Sequence, residues 1–127
     1  MSLNNKDFQT LKRICEYCDR IEQTIIRFGE SYAAFLVDSD YEDSVSMKLM
    51  QIGEFAKKLS DEYVESTVDI VDWKAIIGMR NLFAHTYGSM DAELIWNTAV
   101  EDIPYLKQFC FGEIEETSED NGMQMQM

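Results

Sequence analysis

The run "GMRNLFAHTYG" at residues 78–88 places side chains that can bind an anion and move a proton within an otherwise apolar helical pattern. It contains Arg80, Asn81 and Tyr87, together with His85, the only histidine of the chain. A guanidinium can donate two parallel hydrogen bonds to a phosphate. A histidine, whose ordinary pKa is about 6.5, exchanges protons near neutral pH. These residue types therefore suit acid–base chemistry at a phosphate group.

The spacing of Arg80 and His85 limits how they could act together. Five residues along a regular α-helix turn about 500°, which leaves two side chains about 140° apart around the axis. The pair can converge on one substrate only if the helix ends near Ala84, or if a second subunit places its own copy alongside. Phosphodiester cleavage by a ribose 2′-OH needs both a base and an acid. A symmetric dimer would supply two histidines.

Structural explanations exist for each of these residues. Arg80 falls on the apolar side of its helix, where an unpaired guanidinium is costly, so a carboxylate from Glu54 or Asp72 could neutralise it instead of a phosphate. His85 could cap or pack, and Tyr87 could pack at a helix end. The residue types alone leave these alternatives open.

The rest of the chain reads as helices, since apolar residues recur every three or four positions and alternating strand patterns are absent. In the first helix, which Gly29 ends, the apolar positions are Leu11, Ile14, Cys18, Ile21, Ile25 and Phe28. A short helix capped by Ser31 follows. A second long helix is expected from Asp40 to about residue 64, with Val45, Leu49, Ile52, Ala56, Leu59 and Tyr63 on its apolar side. Gly53 within it indicates close packing.

Two further helices complete the expected fold. Asp72 should cap a helix that begins at Trp73, and the last helix should begin near Ser89 or Asp91 and run to Phe109. Pro104 should disturb it one turn earlier, because proline lacks an N–H donor. We therefore predict an all-α, up-and-down bundle of four main helices plus a short extra helix.

Composition sets further limits. The net charge is −13, which argues against a broad nucleic-acid groove but permits a small local site. Residues 113–127 hold five acidic side chains and no basic one, so we predict a helical domain over 1–112 and a disordered acidic tail over 113–127. No membrane-length apolar run or secretory signal is seen, and a cytoplasmic location is expected. No metal site or cofactor is expected, and Cys15 and Cys18 are read as small hydrophobes.

The motif "RNLFAHTY" fits the pattern R-x-x-x-x-H-x-Y and resembles that of HepT-like proteins in the HEPN superfamily. The resemblance covers about residues 45–109 and includes "QIGEFAKKLSDEY", "DWKAIIGMRN" and "DAELIWNTAVEDIPYLKQF". Thr86 departs from the glycine that many relatives carry between histidine and tyrosine.

The resemblance implies an all-helical homodimer that acts as a metal-independent ribonuclease toxin of a toxin-antitoxin pair. Arg80 would polarise the scissile phosphate, Asn81 would orient it, and His85 would exchange protons with the 2′-OH or the leaving 5′ oxygen. Glu54 would support Arg80. A cognate nucleotidyltransferase antitoxin would transfer AMP to Tyr87 and so keep RNA out of the cleft.

Other functions remain open at this point. The chain could be a non-catalytic helical module that binds a nucleotide, or a partner subunit of a nucleotidyltransferase complex whose basic surface its acidic one complements. A stripe of cations spaced by seven residues on the first helix, Lys6, Arg13, Arg20 and Arg27, could track an RNA backbone. It could equally form surface salt bridges with Glu16, Asp19 and Glu22.

Overall fold

The computed structural model describes residues 3–86 and 89–126, with side chains up to residue 118, and every regular element in this part of the chain is helical. The elements are α1 (Asn5–Phe28), α2 (Tyr32–Val37), α3 (Ser39–Ala56), α4 (Asp61–Ser66), α5 (Trp73–Thr86), α6 (Ala92–Asn97), a π-helical segment (Thr98–Asp102) and α7 (Ile103–Gln126). The all-α prediction is confirmed. The described chain has more pieces than the predicted four main helices and one short one, because two of the expected helices are interrupted.

The two predicted apolar seams form the core between α1 and α3. These helices run antiparallel, since Phe28 stacks on Tyr41 at one end and Tyr17 meets Phe55 edge-on towards the other. α7 packs along α1, and α5 packs along α3. The buried seam residues are Leu11, Ile14, Cys18, Ile21 and Ile25 of α1 and Val45, Leu49, Ile52 and Ala56 of α3. α3 therefore contacts both α1 and the helix that carries Arg80 and His85.

The ends of the first two helices follow local capping chemistry. Gly29 ends α1 with φ of 120°, a conformation that only glycine adopts without strain. The Ser31 hydroxyl accepts from the Ala34 N–H at 3.1 Å, as predicted for the cap of α2. α3 is capped by Asp38, whose carboxylate accepts from the Asp40 N–H at 3.0 Å. The predicted cap at Asp40 is therefore two residues late.

The second long helix ends at Ala56, and our prediction that it would continue to about residue 64 is wrong. Ser60 caps a new helix, α4, and is itself held by Asp7 of α1. The Asp7 carboxylate is 1% exposed and accepts from the Ser60 N–H at 2.9 Å and from the Ser60 hydroxyl at 2.6 Å. A contact between residues 53 positions apart leaves no trace in a local apolar period, so the break could not be read from the sequence.

The last helical stretch is disturbed just before Pro104, as predicted. Asp91 caps α6 by accepting from the Glu93 N–H at 2.9 Å, which decides between the two expected starts. The Ile103 N–H then donates to the Thr98 carbonyl, five residues earlier, in place of the usual four. The proline has no N–H to give to the α-helical ladder, and the π-helical segment accommodates that missing bond.

The last helix extends beyond the predicted domain boundary at Gly112. α7 continues past Gly112 to Gln126, and Tyr63 donates a hydrogen bond of 2.6 Å to the Glu113 carboxylate. Burial and this bond raise the pKa of the Tyr63 phenol. A side chain near the core thus holds the start of the acidic segment in register. The division into a 1–112 domain and a 113–127 tail stays a prediction.

Candidate active site

α5 is fixed to the core at both ends by aromatic residues. Trp73 is 2% exposed, and its indole N–H donates to the Thr67 hydroxyl at 2.8 Å. Phe83 is buried near the other end. The Asp72 carboxylate accepts from the Ala75 N–H at 3.0 Å, which confirms the predicted cap. The helix is therefore well placed to hold Arg80 in a fixed position between these anchors.

The apolar side predicted for α5 is only partly covered. On that side Ile76 and Ile77 are half-buried and Ala84 is exposed. Leu82, which lies outside the predicted side, is 48% exposed. A groove of about 450 Å³ lies beside Ile76 and Leu82, where α5 approaches α3 and the last helical stretch. Its lining is Leu49, Ile52, Ala75, Ile76, Gly78, Met79, Leu82, Leu94, Thr98, Asp102, Ile103 and Leu106. The helix that carries the candidate site thus presents an apolar margin to solvent.

Gly53 of α3 allows Arg80 to cross close to the α3 backbone. A Cβ atom at Gly53 would overlap the Arg80 Cβ and would lie 3.1 Å from its Cγ. The close packing that this glycine indicated in the sequence is therefore confirmed, and its neighbour is Arg80. No local pattern identifies that neighbour, because the close approach joins residues 27 positions apart on two helices.

Two oxygen atoms orient the Arg80 guanidinium. Its Nε donates to Oε1 of Glu54, so Glu54, rather than Asp72, is the carboxylate partner. Its Nη1 donates to Oδ1 of Asn81 at 3.1 Å. These contacts do not use Nη2 or the second N–H of Nη1, and the side chain is 28% exposed. The end of the guanidinium can therefore still offer a fork of donors to a phosphate.

His85 lies in the last turn of α5 and is exposed. The helix does not end near Ala84, because it continues to Thr86, whose hydroxyl donates to the Leu82 carbonyl at 2.7 Å. The Arg80 and His85 side chains therefore leave one helix in different directions. Of the two arrangements that could bring them together, the early helix end is excluded. Tyr87 lies outside the described residues.

The other candidate features behave as structural elements. Cys15, Cys18 and Cys110 are free thiols, and burial raises the pKa of each. Among the residues that the structure describes, no group of three histidine, cysteine, aspartate or glutamate residues is placed to hold a metal ion. The cysteines thus fit the interpretation as small hydrophobic residues.

The seven-residue stripe on α1 is partly paired. Arg20 contacts Glu16 at 2.5 Å, and Arg13 lies 3.8 Å from the same carboxylate. Asp19 and Glu22 bind Lys107 of α7 instead, at 3.0 and 2.6 Å. The salt-bridge alternative therefore holds for Glu16 and is wrong for the other two carboxylates.

None of the helices in the described ranges is long and apolar enough to cross a membrane.

Comparison with known proteins adds the family. Residues 14–111 match the model of the family described as "Ribonuclease HepT-like". The probable ribonuclease HepT of Thermococcus cleftensis is 30% identical over 84% of this chain and 93% of its own length. A candidate RNase of Caldanaerobacter subterraneus is 31% identical over 77% of this chain and 85% of its own. A candidate RNase of Methanocaldococcus jannaschii is 27% identical over 66% and 84%.

Among solved structures, none matches the chain significantly. The family match nevertheless spans most of the sequence, from the middle of α1 into α7, and contains the whole Arg80–His85 motif. Relatives at 30% and 31% identity agree with it over more than three quarters of the chain. The chain therefore belongs to the HepT-like ribonuclease family.

Proposed function

We propose that this protein is a metal-independent endoribonuclease that acts as the toxin of a toxin-antitoxin pair in the cytoplasm. The observation that carries the proposal is the Arg80 guanidinium, which Glu54 and Asn81 orient while its outer donors stay available, five residues before an exposed histidine. Family membership adds the substrate class, since relatives are named as ribonucleases. Arg80 and His85 are the catalytic residues, Asn81 orients the phosphate, and Glu54 is a positioning residue.

The reaction needs only these side chains and the RNA itself. One imidazole takes the proton of the ribose 2′-OH as its oxygen forms a bond to phosphorus. The bond from phosphorus to the 5′ oxygen breaks, and an imidazolium gives that leaving oxygen a proton. The products are a 2′,3′-cyclic phosphate and a 5′-hydroxyl end. Arg80 stabilises the negative charge that develops on the phosphoryl oxygens.

We further propose that the active species is a symmetric homodimer. Each chain has one histidine, and on a continuous α5 it points away from Arg80 of the same chain. A second copy packed against the apolar margin of α5, around Leu82, would bring a second Arg80 and His85 to the same cleft. It would also cover apolar surface that the single chain exposes.

Control by a cognate nucleotidyltransferase completes the proposal. Tyr87 stands two residues after His85, so AMP transferred to its hydroxyl would add bulk and negative charge beside the cleft. An RNA phosphate would then be repelled from Arg80. The acidic surface of this chain, with its net charge of −13, suits a basic partner enzyme.

This control is tested by the growth of cells that express the protein with and without the cognate nucleotidyltransferase. We expect the wild type to degrade RNA and arrest growth only when the partner is absent. Tyr87→Phe should arrest growth in both conditions, because it keeps the ring and removes the acceptor hydroxyl.

Tyr105→Phe is the matched control, since Tyr105 is 57% exposed on α7 and should remain controllable by the partner. Full rescue of Tyr87→Phe cells by the partner would contradict AMP transfer to Tyr87. Equal growth of all variants without the partner would contradict the ribonuclease itself and leave a non-catalytic partner subunit as the better account.

A further inference from the structure

Several cations gather around the contact between Tyr17 of α1 and Phe55 of α3, although the chain as a whole is acidic. We call this surface the basic face and define it by Arg13 and Arg20 of α1, Lys48 of α3, and Lys58 in the turn that follows α3. Because α1 and α3 are antiparallel, Arg20 lies near the level of Lys48, and Arg13 lies near the level of Lys58. The face differs from the seven-residue stripe, since Lys48 and Lys58 lie outside α1.

Aromatic rings hold three of these cations in place. The Arg20 guanidinium lies 4.7 Å from the ring centroid of Tyr17. The Arg13 guanidinium and the Lys58 ammonium lie 6.0 and 5.9 Å from the ring of Phe55. The two rings contact each other edge-on, with centroids 5.3 Å apart. The cations are therefore ordered before any ligand arrives, which lowers the entropic cost of binding.

Arg20 and Lys48 form a like-charge neighbour pair. The Lys48 ammonium donates to the Ser44 hydroxyl at 2.7 Å and to the Ser44 carbonyl at 3.3 Å, both neutral groups. Burial and the nearby Arg20 charge lower the pKa of Lys48. Glu16 pairs with Arg20 and Arg13, but half or more of each arginine side chain is exposed, and such pairs are weak in water. An anion that lies between Arg20 and Lys48 would relieve their repulsion.

The basic face adjoins the candidate active site. Glu54, which holds Arg80, lies in the last turn of α3, between Lys48 of the same helix and Lys58 in the following turn. At a rise of about 1.5 Å per residue, Lys48 stands about 9 Å from Glu54 along the helix axis. Lys58 stays beside the end of α3, because its N–H donates to the Phe55 carbonyl at 2.9 Å. A flexible polyanion bound across the basic face would therefore pass close to Arg80.

We propose that the basic face binds the phosphate backbone of single-stranded RNA and delivers it to Arg80. The inference rests on the proposed function for the identity of the polyanion. Unpaired nucleotides are required because the 2′-OH must line up with the leaving oxygen, which a regular duplex prevents. Repeated backbone charges are what four ordered cations can neutralise together.

Binding of labelled oligouridylate RNA over a series of salt concentrations tests the proposal, with His85→Ala as the parent to prevent cleavage. Each cation that contacts a phosphate of single-stranded RNA contributes about 0.7 to the slope of log affinity against log salt. A parent that also carries Arg20→Gln and Lys48→Gln should bind RNA several-fold more weakly, and its slope of log affinity against log salt should be smaller by about 1.4. The matched control carries Lys12→Gln and Lys74→Gln in the same His85→Ala parent. Both lysines are exposed outside the basic face, and the change in net charge is the same.

Several outcomes would overturn the proposal: no binding by the parent at low salt, an unchanged slope in the Arg20 and Lys48 variant, or an equal loss in the control. Polyglutamate serves as a second probe that represents an acidic protein. If the Arg20 and Lys48 substitutions abolish polyglutamate binding and leave RNA binding intact, the basic face binds an acidic protein instead. Cleavage by the otherwise wild-type chain is measured separately. If the chain with His85 cleaves RNA but the Arg20 and Lys48 substitutions leave the salt slope unchanged, the proposal for the basic face is wrong and the proposed ribonuclease stands. If the substitutions reduce the salt slope but the chain with His85 does not cleave RNA, the proposed ribonuclease is wrong and the basic face remains an RNA-binding site.

Discussion

His85→Ala should lower the rate of RNA cleavage by about 10²- to 10⁴-fold, the usual contribution of a positioned acid–base group. The folded state should change little, because His85 is exposed in the last turn of α5. A histidine at a helix C-terminus contributes less than about 1 kcal/mol through the helix dipole. Initial cleavage rates of a labelled RNA, together with the free energy of unfolding in urea, measure both effects.

Lys74→Ala is the control for this variant, since Lys74 is exposed at the opposite end of α5. It should keep the wild-type rate and nearly the wild-type stability. A His85→Ala protein that cleaves RNA within a few-fold of the wild type would show that proton transfer does not pass through this residue. Loss of cleavage with a matching loss of stability would indicate a structural role instead.

Gly53→Ala should lower both the stability of the protein and its rate of RNA cleavage, because the added methyl group would displace Arg80. The added methyl group would occupy the space of the Arg80 Cβ, which sits close to the α5 backbone and cannot move aside by a simple rotation. Overpacking of this kind lowers the free energy of unfolding by about 1–3 kcal/mol. The displaced guanidinium should also lose its alignment, and a shift of about 1 Å can reduce a catalytic rate about 10²-fold.

Gly112→Ala gives the opposite expectation at a helical glycine with open surroundings. A Cβ atom there meets no other atom within 4 Å. Alanine should therefore stabilise α7 by up to about 1 kcal/mol and leave cleavage unchanged. A Gly53→Ala protein that gains stability in the same way, with normal cleavage, would contradict the close approach of α3 and Arg80.

Local sequence patterns predict the helices well where a helix faces one continuous core. The three-four spacing from Leu11 to Ile25 matches the buried side of α1, and Ser31, Asp72 and Asp91 cap helices as expected. The break after Ala56 escaped prediction because the apolar period continues through Leu59 and Tyr63. The contact that fixes the break, between Asp7 and Ser60, joins distant parts of the chain.

The candidate site was only partly accessible from the sequence. Residue chemistry and the motif identify Arg80 and His85, and Glu54 was one of two possible partners for the arginine. The pairing of α3 with α5 determines which carboxylate binds Arg80, and it also explains why a glycine stands at position 53. No local pattern points to Lys48, because its significance lies in its closeness to Arg20 on another helix.

The measurement that most directly tests the central claim is complementation between two inactive subunits. Arg80→Ala and His85→Ala chains are co-expressed with different tags and purified through both, so that every dimer contains one chain of each kind. Each variant alone should be inactive, whereas the mixed dimer should recover part of the wild-type cleavage rate, because its shared cleft keeps one arginine and one of the two histidines. A mixed dimer that assembles but stays inactive beside an active wild type would contradict a site built from both subunits.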